Sequence, residues 1–243
     1  MCGPRSRVVD SRSRESEGKP AGTQPWQARG GRASPARVPP PVDVAALRAA
    51  RLRRPWFSRD ALTVARALIG CFLVHERGPG GGEPRVSRIV ETEAYRGPRD
   101  LASHARAGLT PRTRVLLGPE GHAYVFFIYG MHECFNVTCG ATGRGHAVLV
   151  RAGEPTSALE EHVRLDGPGR FTRAMGLSRV HNGQDLTEPP IYLCGRARRP
   201  RIAVSPRVGV AYAGAWADRA WRFYDPTSRH VSKPPAKSIG RGR

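Results

Sequence analysis

Lysine is almost missing from this chain. It occurs at Lys19, Lys233 and Lys237 only, and the rest of the 40 basic residues are arginine. A Schiff-base step needs an amine that can lose its proton, which a guanidinium does not do at any accessible pH. Residues 56–232 therefore offer no such nucleophile. GC-rich coding also depletes lysine, so the scarcity marks a missing capability rather than selection against it. Cysteine is sparse and odd in number: Cys2, Cys71, Cys134, Cys139 and Cys194. Without paired short spacings these do not read as a disulfide framework. His132, Cys134 and Cys139 lie near one another, but neither Cys-x-x-Cys nor His-x₃₋₅-His occurs, so no metal and no cofactor is expected. The thiols are expected to be reduced, buried and idle. No run approaches the roughly 20 apolar residues of a membrane span, and the N-terminus lacks the apolar stretch of a signal peptide. The expectation is a cytoplasmic protein with no membrane partner.

Acidic residues are the minority charge, 20 against 40 basic, for a formal net charge of +20 and a pI near 11.2. The excess is not confined to a tail, because residues 56–243 hold 28 basic and 16 acidic side chains. A field of this sign attracts polyanions, and phosphate contacts dominate nucleic-acid affinity. Basicity alone fits a ribosomal or membrane-surface protein equally well, so it indicates a class of partner and no chemistry.

The first 50 residues are rich in Arg, Pro, Ser and Gly, with almost no aliphatic periodicity before Val42. Such a segment buries too little apolar surface to offset its ordering entropy. Residues 1–50 are read as a disordered basic extension or as upstream sequence from a misassigned start codon. Residues 51–235 are read as the functional domain and 236–243 as a basic tail. Within the domain, Ser58 is placed to cap a helix through Ile69, with Leu62, Ala65, Leu68 and Ile69 at helical spacing and Gly70 as its stop. Strands are predicted at 71–75, through Glu93, and near 122–129, 134–139 and 146–152. Helices follow near 156–164 and 168–175, the second ended by Gly176, and then strands near 191–194, 201–204 and 207–211. Sheet runs with segregated helices read as α+β, largely antiparallel.

Two segments carry chemistry. Arg88-Ile-Val-Glu-Thr-Glu-Ala-Tyr95 sets two carboxylates in a strand-like run, and alternation would put Ile89, Glu91, Glu93 and Tyr95 on one face. A carboxylate two residues from an aromatic suits a pocket that stacks on a flat substrate and activates water beside it. A solvated edge-strand face explains the octet alone equally well. Residues 121–137 are aromatic and β-branched on either side of Tyr129-Gly130-Met131, the layout of a hairpin with a large aromatic at its tip. On a basic protein such a tip can wedge between base pairs; the alternative is a tyrosine folded onto the core.

Together with Ala102-Ser-His104, Gly108-Leu-Thr-Pro-Arg112, Val148-Leu-Val-Arg-Ala152, Asp166-Gly-Pro168, Arg207-Val-Gly-Val210 and Trp221-Arg-Phe-Tyr224, these segments resemble the alkyladenine family of 3-methyladenine DNA glycosylases, from about Trp56 to Lys233. The resemblance implies a single compact domain on a curved, partly open sheet, acting as a monomer on double-stranded DNA that contains damaged purines. It places Glu93 as the base that activates water. Arg151 is its partner, and the backbone carbonyl of Val208 is the third water contact. Tyr95 and His104 become walls of the base pocket. Phe126 stands where family members often carry tyrosine, which keeps a stacking face and loses a hydroxyl. Asn136 matches the residue that crowds the exocyclic amine of guanine. Tyr129 matches the residue that fills the vacated stack, with Met131 beside it in the minor groove. Glu91 is the competitor for Glu93's role, and a structural ion-pair partner otherwise. With no lysine amine in the domain, water is the nucleophile and no strand nicking is expected.

Two other readings remain. A non-catalytic basic nucleic-acid-binding protein of the same fold is one, and the joint presence of Glu93 and Arg151 argues against it. A base-modifying enzyme such as a deaminase is the other, and the missing zinc signature argues against that.

Overall fold

The computed structural model describes residues 43–232 except 79, 129, 157, 158, 160–162 and 197. A short helix α1 (Val44–Ala49), capped by the Asp43 carboxylate, opens it. This helix lies inside the stretch expected to be disordered, so the packed chain begins earlier than residue 51; residues 1–42 lie outside the described set. Next comes α2 (Arg54–Phe57), whose last turn Ser58 closes by donating its N–H to Pro55. Ser58 is therefore not the cap of the following helix. That cap is Asp60, which has extended backbone and accepts the Leu62 N–H at 2.9 Å, while the Ser58 hydroxyl is engaged by Glu120. In α3 (Ala61–Leu68) the residues Ala61, Val64, Ala65 and Leu68 are fully buried. Gly70 adopts φ 87°, where a side chain would be strained, and turns the chain into the sheet.

The sheet has eight strands, all paired antiparallel and left open. In chain order these are β1 (Phe72–His75), β2 (Arg85–Arg96), β3 (Ala123–Ile128), β4 (His132–Cys139), β5 (His146–Pro155), β6 (Ile191–Cys194), β7 (Ala203–Ser205) and β8 (Arg222–Tyr224). Two further short helices are α4 (Arg114–Leu117) and α5 (Pro168–Met175). The spatial order is β3-β4-β5-β2-β1-β6, and β8 pairs with both β2 and β7. Strand β2 is thus the hub. One edge carries β5, and the other carries first β1 and then, from Glu91 to Glu93, β8.

Helix α5 starts on Pro168, whose missing N–H costs nothing at a helix start, and stops at Gly176 in the left-handed region. It buries Phe171, Thr172 and Met175, and Phe171 and Met175 share a core cluster with Phe135, Val148, Val150 and residues of α3. The helix expected near 156–164 falls largely on residues outside the described set, and residues 163–165 are not helical. The strand expected at 207–211 is absent. Gly209 has φ 78°, the Val208 N–H is given to a side chain, and a 3₁₀ turn begins at Ala211. A strand at Arg222–Tyr224 takes the place in the sheet that 207–211 does not. No described helix is long and apolar enough to cross a membrane.

Candidate active site

Pairing between β2 and β5 is irregular around Glu91, with a register shift on either side of the Glu91–Ala152 pair. Ile89 opposes Gly153 and Glu91 opposes Ala152, while Thr92 opposes Val150. Val90 and Arg151 are left without cross-strand partners, and such bulges re-aim side chains. The expected four-residue face is therefore broken at its start. Ile89 joins the apolar core, whereas Glu93 and Tyr95 stay together beyond the slip, with the Tyr95 hydroxyl donating to Glu93 Oε2 at 3.0 Å.

A cavity of about 590 Å³ opens beside them. Tyr95, His104, Phe126, Asn136, Arg151 and Val208, all singled out from the sequence, contribute to its wall. Glu93 is fully buried behind Tyr95. Its Oε1 accepts the Val208 N–H at 2.7 Å and lies 3.3 Å from Arg151 Nη1. Val208 thus meets Glu93 through its N–H, whereas the sequence expectation concerned its carbonyl. Burial and then the Glu93 charge push the Tyr95 phenol well above its ordinary range, so it stays protonated and donates. Burial alone would lower the Arg151 guanidinium, but Glu93 and Glu91 outweigh it and secure the cation.

Glu91 is equally buried, and neither glutamate is itself part of the cavity wall, which Arg151 and Tyr95 reach. Its Oε1 accepts from Arg151 Nε at 2.8 Å, Arg222 Nε at 2.7 Å and the Ser232 hydroxyl at 2.9 Å, and its Oε2 from the Ser232 N–H at 2.6 Å. A carboxylate so occupied is an ion-pair partner and is poorly placed to receive a proton from water.

The aromatic wall holds a member that the sequence reading passed over. Tyr124 lies two residues before Phe126 on β3, and strand alternation puts both into the cavity. Its hydroxyl is 3.0 Å from His104 Nδ1, and the Phe126 ring stands 4.5 Å from the His104 ring, edge to face. The Arg112 guanidinium lies 5.3 Å from the Phe126 ring centroid, and its charge acts on both Tyr124 and His104. Burial and then the Arg112 charge lower His104 to about 4, so it is neutral at physiological pH. Asn136 is oriented by its amide nitrogen, which donates to the Tyr124 carbonyl at 3.0 Å.

Arg207 was also passed over as a site residue. It is buried and pairs with Asp100 through two bonds, at 2.6 and 2.9 Å. Its guanidinium lies 4.8 Å from the Tyr95 ring centroid and 5.0 Å from that of Trp221. It backs the Tyr95 ring and anchors the turn that carries Val208. A buried arginine beside a Val-Gly turn was the available signal.

Of the expected wedge, Met131 is 65% exposed at the β3–β4 tip, where Ile128 pairs with His132. Tyr129 lies outside the described residues. Cys71, Cys134, Cys139 and Cys194 are free and buried, and burial raises all four thiols, Cys134 in the cavity wall to about 11. Among the described residues no three His, Cys, Asp or Glu side chains group as a metal ion would need.

Residues 55–229 match the methylpurine-DNA glycosylase family. A relative from Myxococcus xanthus, provisionally named a 3-methyladenine DNA glycosylase, is 54% identical over 186 residues, covering 76% of this chain and 94% of its own length. One of the same name from Anaeromyxobacter dehalogenans is 50% identical over 188 residues, 76% of this chain and 87% of its own. Another from Legionella pneumophila is 42% identical over 185 residues, 75% of this chain and 98% of its own.

Proposed function

Because the chain belongs to the methylpurine-DNA glycosylase family, we propose that it extrudes a damaged purine from duplex DNA into the cavity beside Tyr95 and hydrolyses its N-glycosidic bond with water activated by Glu93. The family's reaction is cleavage of that bond in DNA. The finer reading rests chiefly on one observation: a buried carboxylate, held by the Val208 N–H and the Tyr95 hydroxyl, lies 3.3 Å from an arginine in the cavity wall.

The chemistry follows from the charges. The bond from C1′ to the base breaks with its electron pair leaving on the purine, and the sugar becomes oxocarbenium-like. Water attacks C1′ while Glu93 takes its proton, and the carboxylate charge stabilises the developing cation. Cationic bases such as 3-methyladenine and 7-methylguanine leave as neutral molecules. Neutral hypoxanthine and ethenoadenine need protonation as well. Tyr95, Tyr124, Phe126 and His104 provide the faces on which a flat base stacks. Asn136 crowds the exocyclic amine of normal guanine. Tyr129, with Met131 beside it, fills the vacated stack. The enzyme acts as a monomer on chromosomal DNA. Without a lysine amine between residues 56 and 232 it has no lyase step.

Duplexes carrying one hypoxanthine or one methylated purine, followed with and without alkali, test this. Purine release, with strand breakage only after alkali, is the expected result. Breakage without alkali would overturn the monofunctional reading, and binding without release would favour a non-catalytic DNA-binding protein.

A further inference from the structure

After β8 the chain returns to the hub strand twice. Asp225 donates its N–H to the Val90 carbonyl at 3.0 Å, and its carboxylate takes Arg88 at 3.1 Å and the Thr227 N–H at 3.0 Å. Farther along, Ser232 reaches Glu91 with its N–H and its hydroxyl, and that hydroxyl accepts from Arg151 Nη2 at 3.2 Å. The Ser232 oxygen therefore bridges the two partners of a buried ion pair. Arg222, from β8, completes the set at Glu91.

We propose that Glu91 and Ser232 are positioning residues that hold two corners of the Arg151 guanidinium, so that only Nη1 faces Glu93. The argument rests on the reading of Glu93 as the base. An arginine and a carboxylate left to themselves form a two-bond fork with contacts of about 2.7–2.9 Å. Here Nε belongs to Glu91 and Nη2 to Ser232, and the contact to Glu93 is a single one at 3.3 Å. A guanidinium closed fully onto Glu93 would lower that carboxylate's affinity for a proton and weaken it as a base. The strap formed by residues 225–232 thus keeps a cation near the reacting carboxylate without letting it quench the carboxylate's basicity.

Other groups also act on Glu93. Tyr95 bonds it from β2, Val208 donates from the turn, Arg222 pairs across β8, Cys134 faces it from β4, and the Arg207 and Glu91 charges lie nearby. Of these groups only Glu91 bonds the Ser232 hydroxyl, so removing that hydroxyl disturbs the strap and leaves the direct contacts to Glu93 in place.

The test compares the full chain with Ser232→Ala and Ser232→Thr, plus Glu91→Gln, which keeps shape and drops charge. The Glu93 carboxyl is titrated by carbon-13 NMR, assigned with Glu93→Gln, and single-turnover release is followed against pH. Ser232→Ala is expected to lower the Glu93 midpoint and the acid limb of the rate by about one pH unit. The plateau should fall about tenfold, with lesion-DNA affinity kept within about twofold. Ser232→Thr should restore both, and Glu91→Gln should move the midpoint the same way as Ser232→Ala. A Glu93 midpoint unmoved in Ser232→Ala and Glu91→Gln, or a Ser232→Thr that behaves like Ser232→Ala, would overturn the inference. A wild-type chain that releases no purine would sink the glycosylase reading instead, and the Glu93 titration would still decide the strap.

Discussion

Glu93 and Glu91 share a strand and full burial but not their neighbours. Glu91 receives four donors from Arg151, Arg222 and Ser232, whereas Glu93 meets a backbone N–H, a phenol and one long arginine contact. Glu93→Gln is nearly isosteric and cannot accept the water's proton. Purine release in single-turnover assays should fall on the order of 10²–10⁴-fold, with lesion binding retained in gel-shift titrations. His104 offers a second test at this scale. Its folded pKa of about 4 lies below the ordinary value of 6.5, so the unfolded chain takes up the proton first as pH falls. The stability tied to neutral His104 is complete above about pH 6.5 and is lost on descent toward pH 4. Proton NMR should place its titration near 4. Arg112→Gln should move it upward, because the Arg112 charge is the second cause of the shift after burial.

At the scale of elements, the β2–β5 pair does two jobs. Its slip at Val90 and Arg151 aims the arginine at both glutamates, and its straight part buries Val148 and Val150 beneath α3 and α5. Gly153 sits beside the slip, where an added Cβ would lie 2.1 Å from Ser87 Oγ and 2.9 Å from Phe171 Cε2. The serine cannot yield freely, since its hydroxyl is bonded to the Glu154 carbonyl at 2.9 Å. Gly153→Ala should therefore cost about 1–3 kcal/mol in urea unfolding, through overpacking rather than backbone strain. The β3–β4 hairpin carries the other element-level test. Tyr129→Ser should weaken binding to a lesion in duplex DNA and matter little on single strands, where no stack has to be refilled. Equal losses on both in fluorescence titrations would make Tyr129 a packing residue.

For the whole molecule, the proposed mechanism predicts that the enclosed carboxylate and the charge of the leaving base together set how rate depends on pH. A cationic base such as 3-methyladenine needs only ionised Glu93, so its release rate should rise with pH and level off. Neutral hypoxanthine needs a proton as well and should give a bell-shaped profile. Single-turnover rates between about pH 5 and 10 decide this, and a hypoxanthine rate that levels off would show that Glu93 and Arg151 suffice without leaving-group protonation.

The order of residues along the chain determined a good deal unaided. Strand alternation put Glu93 and Tyr95 together, the helix signals of α3 and α5 lay in apolar spacing and in Gly70 and Gly176, and the arginine excess pointed to a polyanion. These are short-range or additive properties that do not depend on what packs against them. Element boundaries that depend on competition for one hydrogen bond were not legible. Asp60 displaced Ser58 as a cap, and the strand expected at 207–211 became a turn because Val208 donates to Glu93. Only the tertiary structure decided which donors each glutamate meets. Arg151, Arg222 and Ser232 lie 60, 131 and 141 residues from Glu91. Alternation says which face a side chain takes, and only packing brings such distant donors to one carboxylate while leaving its neighbour a backbone N–H, a phenol and one long arginine contact.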